Sequence, residues 1–158
     1  MTSNQLTTKI ASKRMFDLTI GVFALILFAL PMASVALAVR LSSRGPVFFW
    51  SDRVGLEGNI FKMPKFRTML LDTPAVATHL LYNPDAHLSP IGGLLRRLSL
   101  DELPQLWSVL KGDMSFVGPR PALFNQEDLI MLRKQNGVDK LLPGITGWAQ
   151  VNGRDELT

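Results

Sequence analysis

From Leu18 to Val39 the chain reads LTIGVFALILFALPMASVALAV, an apolar run without a charged side chain. At about 1.5 Å per helical residue it reaches about 30 Å, the thickness of a bilayer's hydrocarbon core. The run is long for the apolar region of a signal peptide, and no clear small-residue cleavage site precedes Arg40 and Arg44. A soluble helix apolar all round needs a larger protein to bury it. The pattern therefore predicts a membrane helix over residues 18–39 after a short basic segment, 1–17. Lys9, Lys13 and Arg14 flank one end, and Arg40 and Arg44 the other, so charge favours placing both ends on the cytoplasmic side. Pro31 removes one helical hydrogen bond and predicts a kink or break past the middle of the run. Two arrangements fit these residues: a re-entrant helix that dips in and returns, and a kinked span.

Beyond Arg40 the pattern changes to that of a small mixed domain, 40–158. Gly45-Pro46 marks a turn, and Val47–Trp50 and Ile60–Phe66 are short β-prone runs separated by a polar turn over Arg53–Gly58. Pro74 and Pro84 keep Leu70–Leu88 irregular or weakly helical. Ile91–Leu98 predicts a short helix with Leu94 and Leu95 inward. Leu103–Leu110 predicts another, stopped by Lys111-Gly112-Asp113. Ser115–Val117 is extended, Gln126–Asn136 is a polar-faced helix ended by Gly137, and Leu141–Val151 is a loop and strand punctuated by Gly and Pro. The fold class expected is α+β, helix-rich with few short strands, carrying an N-terminal membrane helix kinked near Pro31.

Composition adds little to the fold but narrows the chemistry. Of 158 residues, 47% are hydrophobic, and the apolar run carries the excess. A net charge of +4 suits phosphates, nucleotides or anionic headgroups. The basic residues are spread among Pro and Gly turns rather than clustered with exposed aromatics, so no nucleic acid is expected as a partner. Without cysteine there is no disulfide, thiolate catalysis or cysteine-built zinc site. His79 and His87 have no second ligand at metal spacing.

The densest chemistry lies in Arg96-Arg97-Leu98-Ser99-Leu100-Asp101-Glu102-Leu103-Pro104. Two adjacent carboxylates follow two arginines where a helix begins. One reading is capping: Ser99 with Glu102 fits a capping box, or Asp101 is the N-cap with Pro104 in the first turn. The other is a phosphate site, since a helix start offers unpaired N–H groups and a positive dipole end. A carboxylate there is expected to keep a low pKa and to serve as a metal ligand or as a nucleophile toward phosphorus. Lys62, Lys65 and Arg67 in FKMPKFRTM and Arg120 in GPRP are further candidates. Two prolines fix the backbone around Arg120, and a guanidinium fork presented that way suits a pyrophosphate. The glycines of Pro143–Gln150 let the backbone bend or approach a ligand, with Trp148 either in the core or at the site.

Four segments together carry a resemblance: KRMFDL (Lys13–Leu18), KFRTM (Lys65–Met69), RRLSLDELPQLWSVLKGDMSFVGPRP (Arg96–Pro121) and PGITGWAQVNGR (Pro143–Arg154). The chain resembles the bacterial sugar transferases, or monotopic phosphoglycosyl transferases, which begin glycan assembly on polyprenyl (undecaprenyl) phosphate. The resemblance implies a re-entrant helix that does not cross the inner membrane and a catalytic domain on its cytoplasmic face. It implies an enzyme that moves a sugar 1-phosphate from a UDP-sugar to the lipid phosphate, at the start of exopolysaccharide or lipopolysaccharide synthesis. Asp101 is then the nucleophile, Glu102 its partner, and both lie beside a required Mg2+. Arg96 and Arg120, with Lys65 and Arg67, are then phosphate-binding. The partners implied are the UDP-sugar, polyprenyl phosphate, membrane lipid and downstream glycosyltransferases. A membrane-anchored binding module without catalysis is the alternative. Two departures stand out: Leu30 precedes Pro31 where the family commonly has Ser, and the family usually continues past GWAQVNGR, so a C-terminal portion is expected to be lacking.

Overall fold

The structure, a computed structural model, describes residues 3–73 and 82–152, with side chains from residue 11 onward. His79 lies outside the described residues. The fold is α+β, as expected. A single helix, α1 (Ser3–Ser42), precedes β1 (Phe48–Val54) and β2 (Ile60–Phe66), then α2 (Gly92–Arg97), α3 (Leu106–Lys111), β3 (Ser115–Val117), α4 (Glu127–Gln135), β4 (Gly144–Thr146) and α5 (Trp148–Val151). β1 runs four residues beyond the expected Val47–Trp50, while β2 and β3 occupy the expected residues.

The chain forms two compact units: Met1–Leu27, Asp52–Phe61 and Leu106–Thr158 make the first, and Phe28–Ser51 with Lys62–Gln105 the second. The hairpin of β1 and β2 belongs partly to each, and its turn is closed by the Gly55 N–H donating to Asn59 O at 2.7 Å.

α1 differs from the expected pattern in three respects. Its helix begins at Ser3, well ahead of the apolar run that starts at Leu18. It continues helically through Pro31, so the expected break is absent as an interruption. The physical reason is that proline withholds only one N–H, and the following turns resume the register. Ser34 Oγ donates back to Leu30 O at 3.0 Å beside the proline, a bond that itself tends to bend helices. Third, Lys13 and Arg14 are not simple charged flanks of a membrane segment. Arg14 places its guanidinium on Val109 O and Leu110 O, both at 2.6 Å, and so caps the last turn of α3. Asp17, 2% exposed, accepts from Ser115 Oγ at 3.0 Å and from the Phe116 N–H at 3.2 Å. Lys13 bonds Ser115 Oγ and lies 3.6 Å from Asp17. The basic and acidic residues of KRMFD thus fasten α1 within the first unit.

From Ala11 to Ser42 the helix is long and apolar enough to cross a membrane, with a mean hydropathy of 2.6 over its most apolar stretch. Only 17% of its most apolar stretch is buried, too little for the core helix of a soluble protein. The covered positions recur every three or four residues within each unit's part of the helix: Arg14, Asp17, Gly21 and Leu25 in the first, and Met32, Val35 and Val39 in the second. Phe16, Phe23, Ile26, Leu27, Leu30, Leu37 and Leu41 are exposed. Within each unit's part of α1 the exposed set lies opposite the covered one by helical phase.

In the first unit β3 pairs with β4 in parallel, Ser115 opposite Gly144 and Val117 opposite Thr146. The pairing continues as backbone bonds from Gly118 N to Thr146 O and from Gly144 N to Pro119 O, both at 2.9 Å. A Cβ on Gly118 would sit 2.2 Å from Leu142 O, and one on Gly144 would sit 2.1 Å from Gly118 N. These glycines therefore let two backbone segments touch each other. Trp148 is 81% exposed and is not a core residue.

The core of the second unit is Val35 and Val39 from α1, Phe66 from β2 and Leu95 from α2. Met32, Val47, Ile91, Leu100 and Leu103 are packed against it. Phe48 stacks on Phe66 with ring centroids 5.4 Å apart. Leu95 is inward as expected, but Leu94 is 58% exposed, because α2 has only six residues and one buried face. The helix expected over Leu103–Leu110 is instead a 3-10 turn over Leu100–Gln105 followed by α3, with Pro104 inside the turn.

Candidate active site

The tail of β2, the end of α2 and the 3-10 turn of Leu100–Gln105 converge within the second unit. Ser99 makes the sharp change of direction between α2 and the turn with a left-handed φ of 55°, and its carbonyl accepts the Glu102 N–H at 3.3 Å. Asp101 lies inside the turn, and Ser99 meets the Glu102 N–H with its carbonyl. What the sequence left open as capping is therefore a tight turn that projects both carboxylates.

Asp101 is buried, at 8% exposure. Burial holds its carboxyl above the usual carboxylate range; the Lys65 ammonium opposes this most, Glu102 adds like-charge repulsion, and Arg96 pulls back down. This corrects the low pKa expected for a helix start: the turn is short, and desolvation outweighs its N–H groups. Lys65 Nζ lies 2.8 Å from Glu102 Oε1, with both side chains mostly buried. Arg96 donates from Nε to Thr68 Oγ1 at 2.9 Å. Asp101, Glu102, Lys65 and Arg96 are thus brought together, two carboxylates under two cations.

Arg67 is 5% exposed and donates to Ser43 O, Ser43 Oγ and Arg44 O at 2.7–3.0 Å. These bonds tie Arg67 to the loop after α1, while its buried Nε has no hydrogen-bond partner among the described residues.

Residues 8–158 match the bacterial sugar transferase family. The chain belongs to that family. It is 44% identical over 146 residues to the uncharacterized sugar transferase EpsL of Bacillus subtilis, covering 92% of this chain and 71% of EpsL. It is 44% identical over 152 residues to the undecaprenyl-phosphate glucose phosphotransferase of Komagataeibacter xylinus, covering 92% of this chain and 29% of that protein. It is 42% identical over 144 residues to the UDP-glucose:undecaprenyl-phosphate glucose-1-phosphate transferase of Escherichia coli, covering 89% of this chain and 31% of that protein. The chain therefore spans less than a third of the length of the latter two relatives.

In this sugar transferase a magnesium ion would need donors beyond the Asp101-Glu102 dyad. Among the described residues no group of three or more His, Cys, Asp or Glu side chains gathers into a metal cage. Magnesium usually takes one or two carboxylates and completes its shell with water and phosphate oxygens. Asp101 and Glu102 would be those carboxylates, and a cation there would relieve the repulsion between them.

Arg120 belongs to the first unit, half-buried in the loop that joins β3 to α4. The backbone bonds of Gly118 and Pro119 to β4 fix where that loop begins. Pro119 also lines a cleft of about 170 Å³ with Val54, Ile130, Arg133, Asp139 and Pro143. Burial pushes the Arg133 guanidinium below its ordinary value. His87 ends the 3-10 turn Pro84–His87, and its carbonyl accepts the Leu70 N–H at 2.9 Å.

Sequence reasoning missed Thr68, although KFRTM was recognised as a motif. Its partner is 28 residues away, and no local spacing announces such a contact. It also missed the roles of Arg14 and Asp17, whose partners lie about a hundred residues on. Lys13 and Asp17, four apart on one helix face, were the available signal.

Proposed function

We propose that this protein transfers a sugar 1-phosphate from a UDP-sugar to undecaprenyl phosphate, initiating a polysaccharide or glycoconjugate, with Asp101 as nucleophile. The observation that carries this reading is the buried Asp101 carboxylate beside Glu102, with Lys65 and Arg96 near. A desolvated carboxylate with a raised pKa is more basic, and hence a better nucleophile, than one in water. The Lys65 and Arg96 cations oppose the effect of burial on Asp101 and favour its ionised form. An Asp101 oxygen attacks the sugar-bearing phosphorus, the bond to the bridging oxygen breaks, and UMP leaves with that electron pair. An oxygen of the lipid phosphate then attacks the same phosphorus, breaks the aspartyl–phosphorus bond and restores the carboxylate. The product is a lipid diphosphosugar.

Arg96 meets the phosphates of the donor, and Lys65 orients Glu102 beside the reacting carboxylate. Arg120 contributes a further guanidinium to phosphate binding. Magnesium, when bound by Asp101 and Glu102, neutralises charge on the diphosphate. Splitting the transfer in two lets a soluble and a lipid substrate use one carboxylate in turn.

The exposed apolar side of α1 is the membrane element. The basic residues at both ends of its apolar run support a helix that returns to the side it entered over a free span. The catalytic residues then work at the cytoplasmic face of the inner membrane, where the soluble donor is supplied and later glycosyltransferases take up the product.

Release of UMP from a panel of UDP-sugars by the full chain in membranes, with undecaprenyl phosphate, tests this function. Formation of the lipid diphosphosugar with one donor is expected. Folded protein that releases no UMP with any donor would favour the non-catalytic binding module instead.

A further inference from the structure

Arg96 is held at one corner. Its Nε donates to Thr68 Oγ1 at 2.9 Å, and among the described residues its guanidinium has no other hydrogen bond or ion pair to protein. With Nε engaged, the edge left over is the pair of terminal nitrogens, whose two parallel N–H bonds match two oxygens of one phosphate.

Thr68 is itself tightly fixed. It is 6% exposed, and its carbonyl accepts the Ser89 N–H at 2.9 Å. The first residue of α2, Gly92, presses on that carbonyl so closely that a Cβ would lie 2.0 Å from the oxygen. Thr68 and Arg96 are therefore tied twice: by backbone at the start of α2 and by side chain at its end. A long side chain with several free torsions is reduced to one orientation beside Asp101. A buried hydroxyl that served packing alone would need no acceptor role toward a guanidinium, and valine would fill the same space.

We propose that Thr68 is a positioning residue that aims the fork of Arg96 at the phosphate of the donor. The proposal rests on the reading of Arg96 as phosphate-binding. Thr68 touches no reacting atom and acts only through Arg96. Threonine supplies one acceptor and no charge, so it turns the guanidinium without neutralising it. A carboxylate at this position would compete with the phosphate for the fork.

The test is a double-mutant cycle of Thr68→Val and Arg96→Ala in the full chain, read as UMP release with saturating lipid phosphate. Thr68→Val deletes the acceptor and keeps the shape. It is expected to lower kcat/KM by about ten- to a hundredfold, the scale of one hydrogen bond to a charged group. Thr68→Ser, which keeps the hydroxyl, should stay within a few fold of the parent. In the Arg96→Ala background Thr68→Val should cause no further loss, because nothing remains to be aimed. Multiplying losses would overturn the proposal, as would near-parent activity of Thr68→Val alongside an impaired Arg96→Ala. Parent-like activity of Arg96→Ala would instead sink the phosphate-binding reading on which it rests. Should Thr68→Val fold poorly, the cycle is run with Thr68→Ala below its melting temperature, and the same non-additivity decides.

Discussion

Gly92→Ala tests the clamp that holds the site together. The added Cβ would lie 2.0 Å from Thr68 O and 2.9 Å from Ser89 Oγ. An ordinary carbon–oxygen contact is at least about 3.3 Å, so the two segments must part by about 1.3 Å. The serine hydroxyl can rotate away, but the Thr68 carbonyl belongs to a backbone pinned by the Ser89 N–H at 2.9 Å. Overpacking of this kind costs about 1–3 kcal/mol, and loss of that hydrogen bond adds about 1 kcal/mol. Alanine's better helix propensity returns at most about 1 kcal/mol. The net loss expected is about 1–3 kcal/mol, or a melting temperature lower by about 3–10 °C for a chain of this size. Thermal unfolding in detergent, followed by circular dichroism, measures it. Activity below the transition should fall further than stability alone requires, because Thr68 carries Arg96. A melting temperature within about 1 °C of the parent would refute the close approach.

Two further outcomes follow from the geometry. The folded-state pKa of Asp101 is raised above its ordinary 3.8, so the folded protein holds that proton more tightly, and ionisation costs stability as pH rises through the raised value. Asp101→Asn, in chelator, should therefore melt higher than the parent near neutral pH, with the gap closing as pH falls toward 3.8; a lower melting temperature at neutral pH would contradict the burial effect. Arg14→Gln removes two charged bonds to the last carbonyls of α3 and should cost about 1–3 kcal/mol. Hydrogen exchange of the α3 amides should quicken; unchanged protection there would show that Arg14 does not hold that helix end.

Local pattern made the strands and the short helices readable. Ile60–Phe66 forms a strand as its β-prone residues predict, and Gly137, at a φ of 67°, stops α4 where a left-handed residue was needed. The length of α1 was not readable, because polar residues 3–17 carry no apolar run. They are helical as part of one continuous helix, fastened by Asp17 and Arg14 to residues far along the chain. Of the site, the Asp-Glu pair and its basic neighbours were legible as residue types at a turn. The sign of the Asp101 pKa shift was not, since it depends on burial by the surrounding fold rather than on the helix start. The loop contacts of Arg67 were hidden for the same reason: a cation in a motif looks identical whether it meets a phosphate or a loop carbonyl.

The nucleophile is the central claim, and a single-turnover measurement tests it most directly. The full chain, given UDP-sugar and magnesium without lipid acceptor, should release at most about one UMP per enzyme. The peptide containing Asp101 should gain the mass of one phosphosugar, and addition of undecaprenyl phosphate should remove it. Asp101→Asn should show neither the release nor the added mass while remaining folded. Substantial turnover by Asp101→Asn, or a phosphosugar on a peptide that lacks Asp101, would contradict the account.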